Sequence, residues 1–170
     1  FPRNLGQVPI HYDAKNTGRP YTPGQGEQHY VSRYLNEPTA TPLYPFGYGL
    51  SYTTFEYSDL KVAPEKTDMK QPVAVTVTVK NTGKVRGTEV VQLYVRDLVA
   101  SVTRPTRQLK GFERVTLEPG ESREVSFTIT SDAVGFYRQD MSFGYEPGDF
   151  KVWAGGSSDA ALEGSFEITK

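Results

Sequence analysis

Both histidines and three carboxylates of the first 54 residues are the first side chains to consider for acid–base chemistry or metal binding. They are the carboxylates Asp13, Glu27 and Glu37 and the two histidines, His11 and His29. The carboxylates stand in polar, turn-like contexts, which is typical of solvated loop charges. The histidines are far apart in sequence, and no cysteine or acidic cluster accompanies them. We therefore expect no metal site and no other cofactor.

Nucleophilic and nucleotide-binding patterns are also missing from the sequence. The chain has no cysteine, which rules out disulfides and a thiolate nucleophile, and no serine stands in a nucleophile-elbow context. The stretch "GKVRGTE" (83–89) lacks both the ending and the spacing of a phosphate-binding loop. We interpret it as the turn of a hairpin.

A long polar loop, "NTGRPYTPGQGEQHY" (16–30), carries Arg19, Tyr21 and Tyr30. Tyrosine rings stack on sugars and arginine bonds to hydroxyl groups, so these three residues are candidates for the rim of a sugar site. The alternative is a loop that packs on its own domain. Trp153 likewise has a functional and a structural interpretation. It could be a platform for a sugar, or it could cover one side of a β-sheet.

Bulk composition excludes some partners for these 170 residues. Net charge is -1, with 23% charged and 36% hydrophobic residues, which suits a globular chain. The sequence has no cluster of Lys and Arg that would indicate nucleic acid or an anionic membrane surface as a partner. No apolar run reaches membrane-spanning length. The strand-like pattern is already under way at Phe1, so we expect a piece of a longer protein.

From Phe55 onward the sequence alternates apolar and polar residues in short runs separated by turn signals. The clearest run is "VAVTVTVK" (73–80), and the others begin near residues 55, 88, 108, 123, 150 and 164. Gly111 suggests a bulge in the fourth run. About seven strands at this spacing, without a long helix pattern, predict an antiparallel immunoglobulin-like β-sandwich. The absence of cysteine favours the fibronectin type III-like version.

The first 54 residues are much less regular. Val8 to Tyr12 is a possible strand, and Gln28 to Leu35 is a possible helical turn or extended piece. A segment with so little regular structure cannot bury a core of its own. We expect it to pack against another part of the protein.

Residues 41–55 read "TPLYPFGYGLSYTTF" and carry a large residue at every second position. In an extended chain these residues would share one edge: Tyr44, Phe46, Tyr48, Leu50 and Tyr52. The four rings could bury about 600–1,000 Å², more than a monomer usually leaves in water. The pattern thus predicts a flat, extended tether between domains that needs a docking surface, either upstream domains or the sandwich itself.

Several motifs resemble the C-terminal end of glycoside hydrolase family 3 enzymes of the bacterial periplasmic β-glucosidase type. The most specific are "PLYPFGYGLSYTTF" (42–55) and "RPTRQLKGFERVTLEPGES" (104–122), and "FPRNLGQVPIHY" and "EPGDFKVWAG" occur in the same order. The resemblance implies a parent with a TIM-like barrel, an α/β sandwich and a fibronectin type III-like domain. Residues 1–40 would be the tail of the α/β sandwich, 41–54 a linker and 55–170 the last domain.

Enzymes of this family cleave β-glycosides with retention, using an Asp nucleophile and a Glu acid/base. The resemblance places both upstream of this sequence, which lacks the "SDW" and "KH" motifs of the family. It therefore implies an inactive chain that supports the catalytic domains of a periplasmic or secreted enzyme with an oligosaccharide substrate. A homodimer is one option for the assembly of that parent enzyme. A β-xylosidase parent is an alternative. Another is a carbohydrate-binding or adhesive module, whose affinity Trp153→Ala or Tyr137→Ala would remove.

Overall fold

The structure is a computed structural model that describes residues 1–7, 10–22, 24–25, 28–34, 37 and 39–170. Ten strands lie downstream of residue 54. The strands are β1 (Phe55–Ala63), β2 (Lys66–Thr67), β3 (Val73–Asn81), β4 (Gly87–Asp97), β5 (Gln108–Leu117), β6 (Ser122–Ile129), β7 (Phe136–Tyr137), β8 (Phe143–Gly144), β9 (Gly148–Gly155) and β10 (Leu162–Ile168). All seven strands expected from the alternation are present. The short strands β2, β7 and β8 and the one-turn helix α1 (Ser131–Val134) were not predicted, because two to four residues show no periodicity.

The two main sheets have the strand orders β1-β3-β6 and β2-β10-β9-β4-β5. Neighbours in these sheets are antiparallel except for β2 and β10. Strands β7 and β8 form a separate small hairpin. The predicted β-sandwich is therefore confirmed.

The core lies between the two sheets and explains the alternation in the sequence. On β3 the four valines Val73, Val75, Val77 and Val79 are fully buried, whereas the residues between them are not. Val75 packs in one cluster with Leu93 of β4 and Val152 of β9. Apolar burial between the sheets is what imposes the period of two.

The predicted bulge in β5 is present beside Gly111. Leu93 pairs with Gly111 while its neighbour Tyr94 pairs with Leu109, so that Lys110 is the extra residue. A Cβ atom at Gly111 would lie 3.0 Å from Cδ1 of Phe127 in the facing sheet. Gly111 thus allows a close approach of the backbone to that ring.

The hairpin predicted for residues 83–89 is wrong. Strand β3 belongs to the three-stranded sheet and β4 to the five-stranded sheet, so the chain crosses between sheets here. The turn signals were real, but they do not reveal which strands pair. Gly83 and Gly87 lie against Thr53, because a Cβ atom at either position would approach its side chain to within 2.4 Å.

Asn81 fixes the point at which the preceding segment enters the sandwich. Its side chain is fully buried and uses all of its hydrogen-bonding capacity. The Oδ1 atom accepts from Oγ1 of Thr53 (2.6 Å) and from the Gly83 amide (3.0 Å). The Nδ2 group donates to the carbonyl oxygens of Val85 (2.8 Å) and Leu117 (3.0 Å).

The first 54 residues are as irregular as expected. Among those described, regular structure is limited to a 3-10 turn (Leu5–Gln7) and two isolated bridges, Lys15 with Pro105 and Pro20 with Ser32. The strand suggested at Val8–Tyr12 is not seen over 10–12, and Val8 lies outside the described residues, as does Leu35 of the other candidate element. No helix within the described ranges is long and apolar enough to cross a membrane.

Candidate interdomain surface

The segment predicted to be extended is bent at its centre. The amide of Tyr48 donates to the Pro45 carbonyl oxygen (3.2 Å), and Gly47 has a φ of +80°. These features define a type II β-turn over residues 45–48, in which the third position requires a positive φ. As a result, the rings of Tyr44 and Tyr48 stack on each other at 5.0 Å instead of lining one edge. A glycine two residues after a proline was the available signal.

The turn is hydrogen-bonded directly to the sandwich. The Phe46 carbonyl oxygen accepts from the Ser158 amide (2.8 Å), and the Gly47 carbonyl oxygen accepts from Nε2 of Gln92 (3.4 Å). The same Nε2 group donates to the Gly156 carbonyl oxygen (2.6 Å). A Cβ atom at Gly47 would lie 2.2 Å from Oε1 of Gln92, so the contact requires glycine.

Aromatic rings continue from the turn onto the outer face of the five-stranded sheet. Phe46 stacks on Tyr12 with ring centres 4.2 Å apart, and Tyr12 meets Tyr94 of β4 edge-on at 6.1 Å. Tyr94 is fully buried, and this burial raises its pKa to about 12. The first part of the chain therefore covers an outer sheet face that alternation alone assigns to solvent.

A second anchor joins the early segment to the loop before β5. The amide and the hydroxyl of Thr106 both donate to the Ala14 carbonyl oxygen, at 2.9 and 3.1 Å. Together with the turn at residues 45–48, this contact fixes the early segment to the sandwich at two points.

Trp153 of β9 lies on the same outer sheet face, beneath these contacts. The guanidinium carbon of Arg107 is 4.2 Å from the centre of its ring, and its Nε1 group donates to Oε2 of Glu163 (2.8 Å). Only 5% of Trp153 is exposed. It covers the outer side of the sheet and presents no ring face for a sugar.

Large apolar side chains remain uncovered along residues 43–52. We call this set the aromatic surface: Leu43, Tyr44, Phe46, Tyr48, Leu50 and Tyr52. Leu50 is 91% exposed and Tyr52 is fully exposed, whereas the three other rings are about half covered. Phe1 extends the surface, because its ring meets that of Tyr44 edge-on at 6.4 Å. The exposed side chains of this surface are candidates for a contact with another protein surface.

A cleft of about 1490 Å³ opens between the early segment and the sheet, and the proposed rim residues do not line it. Arg19 and Tyr30 are exposed, Tyr21 is half-buried, and the loop is closed by the Ser32 amide, which donates to the Arg19 carbonyl oxygen (2.8 Å). The cleft wall instead includes His11 and Asp13. Within the described ranges no three His, Cys, Asp or Glu side chains could hold a metal ion, and Glu27 lies outside those ranges.

Comparison with known proteins identifies the domain family of part of the chain and several similar proteins. Residues 89–158 match the fibronectin type III-like domain family. Over 168 residues the chain is 48% identical to the periplasmic beta-glucosidase of Salmonella typhimurium, which covers 99% of this chain and 22% of that protein. A putative beta-xylosidase of Formosa agariphila is 43% identical over 169 residues, with 99% and 21% covered.

The same relationship holds in three dimensions. The crystal structure of a beta-glucosidase from Listeria innocua in complex with glucose superimposes with a TM-score of 0.92 at 40% identity, covering 100% of this chain and 23% of that one. The chain thus spans less than a quarter of the relatives it matches. These findings confirm its resemblance to the C-terminal part of a family 3 glycoside hydrolase, including the fibronectin type III-like domain.

Proposed function

We propose that the chain is the C-terminal portion of a retaining β-glycosidase that hydrolyses terminal, non-reducing β-D-glucosyl residues. Its own role is to support and position the catalytic domains. The observation that carries this proposal is the match of nearly the whole chain to about a fifth of proteins named beta-glucosidase, in sequence and in structure. The catalytic Asp and Glu would lie upstream, so the isolated chain is inactive.

We also propose the domain division expected from the sequence. We assign residues 1–40 to the tail of an α/β sandwich domain, 41–54 to a linker and 55–170 to the fibronectin type III-like domain. Strand β1 starts at Phe55, directly after the bonds of Thr53 to Asn81. The two anchors at Ala14 and at the 45–48 turn hold the earlier residues on the sandwich.

The aromatic surface is the docking site for the upstream barrel and α/β sandwich domains. Covering a fully exposed Leu or Tyr side chain contributes about 1.5–3 kcal/mol, so Leu50 and Tyr52 together offer a substantial part of such an interface. Tyr44, Phe46 and Tyr48 contribute their outer halves. Arg19, Tyr21 and Tyr30 stay a proposal for the rim of the substrate site, which would be completed by the upstream domains.

The compartment follows from the relatives by analogy. A periplasmic or secreted location is proposed because the Salmonella relative is named a periplasmic enzyme. A homodimeric parent is also proposed.

Two alternatives are weaker. Relatives named beta-xylosidase match at 43–46% identity, but beta-glucosidases match in sequence and in structure, which favours a glucosidase parent. The carbohydrate-binding module loses its main candidate, because Trp153 is buried under Arg107. Tyr137, which is 63% exposed, is the remaining ring for that function.

A chimeric enzyme tests the proposal. The matching part of the Salmonella relative is replaced by this chain, and hydrolysis of an aryl β-glucoside and an aryl β-xyloside is measured. We expect the chimera to be active on the glucoside and the isolated 170-residue chain to be inactive on both. Turnover by the isolated chain, or a folded chimera without activity, would contradict the proposal.

The docking role is tested by the paired substitution Leu50→Ser with Tyr52→Ser. Because both side chains are exposed, the melting temperature of the isolated chain should not change, whereas the chimera should lose thermal stability and activity. Phe112→Ser, on the exposed side of β5, is the matched control and should leave both unchanged. If the paired variant and the control behave equally in the chimera, Leu50 and Tyr52 do not contribute to the interface.

A further inference from the structure

The second arginine of the "RPTR" motif lies between Trp153 and the loop that follows β9. Arg107 is half-buried over the Trp153 ring. Its Nη1 group donates to the carbonyl oxygens of Ser158 and Ala160, the latter at 2.9 Å. A single guanidinium thus binds a ring and two carbonyl groups, which a lysine ammonium on a flexible stem does not reproduce.

The loop held by Arg107, residues 156–160, contacts the 45–48 turn, as does Gln92 of β4. The Ser158 amide donates to the Phe46 carbonyl oxygen, and the Ser158 carbonyl oxygen accepts from Arg107. At the other end of the loop, Gly156 shares Nε2 of Gln92 with Gly47. Hydrogen bonds therefore run without a gap from Arg107 through the loop to the turn that carries the aromatic surface.

Nearby carboxylates favour the charged form of the half-buried guanidinium. Burial lowers the pKa of Arg107, and the carboxylates of Asp159 and Glu163 oppose this effect. Arg114 on β5 is exposed instead. Arg114 therefore serves as a matched control.

We propose that Arg107 is a positioning residue, which fixes loop 156–160 and thereby sets the orientation of the aromatic surface on the sandwich. The effect on catalysis rests on the proposed function, since it requires upstream domains that dock on this surface. The effect on the loop and the turn concerns this chain alone and is tested separately.

Amide hydrogen exchange in the 170-residue chain tests the local step. In Arg107→Met and Arg107→Lys, the Ser158 and Tyr48 amides should lose at least tenfold in protection, while core amides such as that of Val77 keep theirs. The fluorescence of Trp153, the single tryptophan, should change in Arg107→Met and stay unchanged in Arg114→Met. Unchanged protection at Ser158 and Tyr48 would overturn the proposal, and so would an equal loss at Val77, which would indicate general destabilisation.

The chimeric enzyme tests the catalytic step. Arg107→Met should lower kcat/KM for the aryl β-glucoside several-fold at a temperature where the chimera is fully folded, and Arg114→Met should not. An inactive parent chimera would refute the proposed function without touching the exchange result. An active chimera in which Arg107→Met has no effect would refute the positioning role alone.

Discussion

The hydroxyl group of Tyr57 on β1 donates a hydrogen bond to Oε1 of Glu89 on β4 at 2.8 Å, and so links the two sheets of the sandwich. Burial raises the pKa of the Glu89 carboxyl group, and the hydrogen bond from Tyr57 opposes that shift only in part. Burial and the bond to Glu89 also raise the pKa of Tyr57. The pair is therefore a source of pH-dependent stability.

Replacement of Glu89 by Gln should raise the free energy of unfolding at neutral pH. Because the folded state binds the Glu89 proton more tightly than the unfolded state, wild-type stability falls as pH rises from about 4.3, the ordinary glutamate value, through the folded pKa. Gln keeps an acceptor for Tyr57 and does not titrate. Urea unfolding across this pH range should show an advantage that grows with pH. A difference of constant size, or one that also appears in the exposed control Glu113→Gln, would contradict this account.

The turn on which the aromatic surface depends should tolerate a methyl group at Gly49 and not at Gly47. Gly47→Ala must adopt a positive φ and displace Gln92, which we expect to cost about 1–2 kcal/mol. At Gly49 a Cβ atom meets nothing within 4 Å, so Gly49→Ala is the control. Chemical denaturation measures the stability cost, and hydrogen exchange at Ser158 reports the turn. Equal effects of the two substitutions would be inconsistent with the turn described.

Trp153 should matter for stability rather than for ligand affinity. Since its side chain is buried beneath Arg107, Trp153→Ala should destabilise the chain by about 3–5 kcal/mol. Tyr137→Ala, at an exposed position, should change stability little. Thermal unfolding of both variants and titration of wild type with oligosaccharides are the measurements. Measurable oligosaccharide binding that Tyr137→Ala abolishes would instead support the carbohydrate-binding alternative.

The four hydrogen bonds of Asn81 should make this position intolerant of aspartate. Asn81→Asp replaces a donor by an acceptor opposite the carbonyl oxygens of Val85 and Leu117. Leaving these two acceptors, one partly buried and one buried, unpaired costs about 2–4 kcal/mol. Asn16→Asp is the control, because exposed Asn16 accepts a hydrogen bond from the Gly18 amide and aspartate can do the same. Urea unfolding curves should separate the two variants clearly, and coincident curves would refute the role given to Asn81.

The strands were predictable from the sequence because burial between two sheets imposes a local rule on each of them. On β3, for example, every valine at an alternate position is buried. The bend at residues 45–48 was missed because large residues happen to alternate through a turn, where alternation has no structural meaning. Burial of Gln92 and Tyr94 was also beyond local reasoning, since it depends on Tyr12 and on the turn at Phe46 and Gly47, which are distant in sequence.

The bonds that tie Thr53 and Thr54 to Asn81 and Thr82 also limit how the length of this region can change. An extra residue placed before Thr53 would shift only the free stretch around Leu50 and leave the register of β1 intact. An extra residue between Thr54 and Phe55 would either break one set of these hydrogen bonds or shift the register of β1 by one residue. Such a shift would move the core-facing side chains of β1 to the solvent face. Related sequences should therefore vary in length before Thr53 and keep a constant spacing between Thr53 and the first strand.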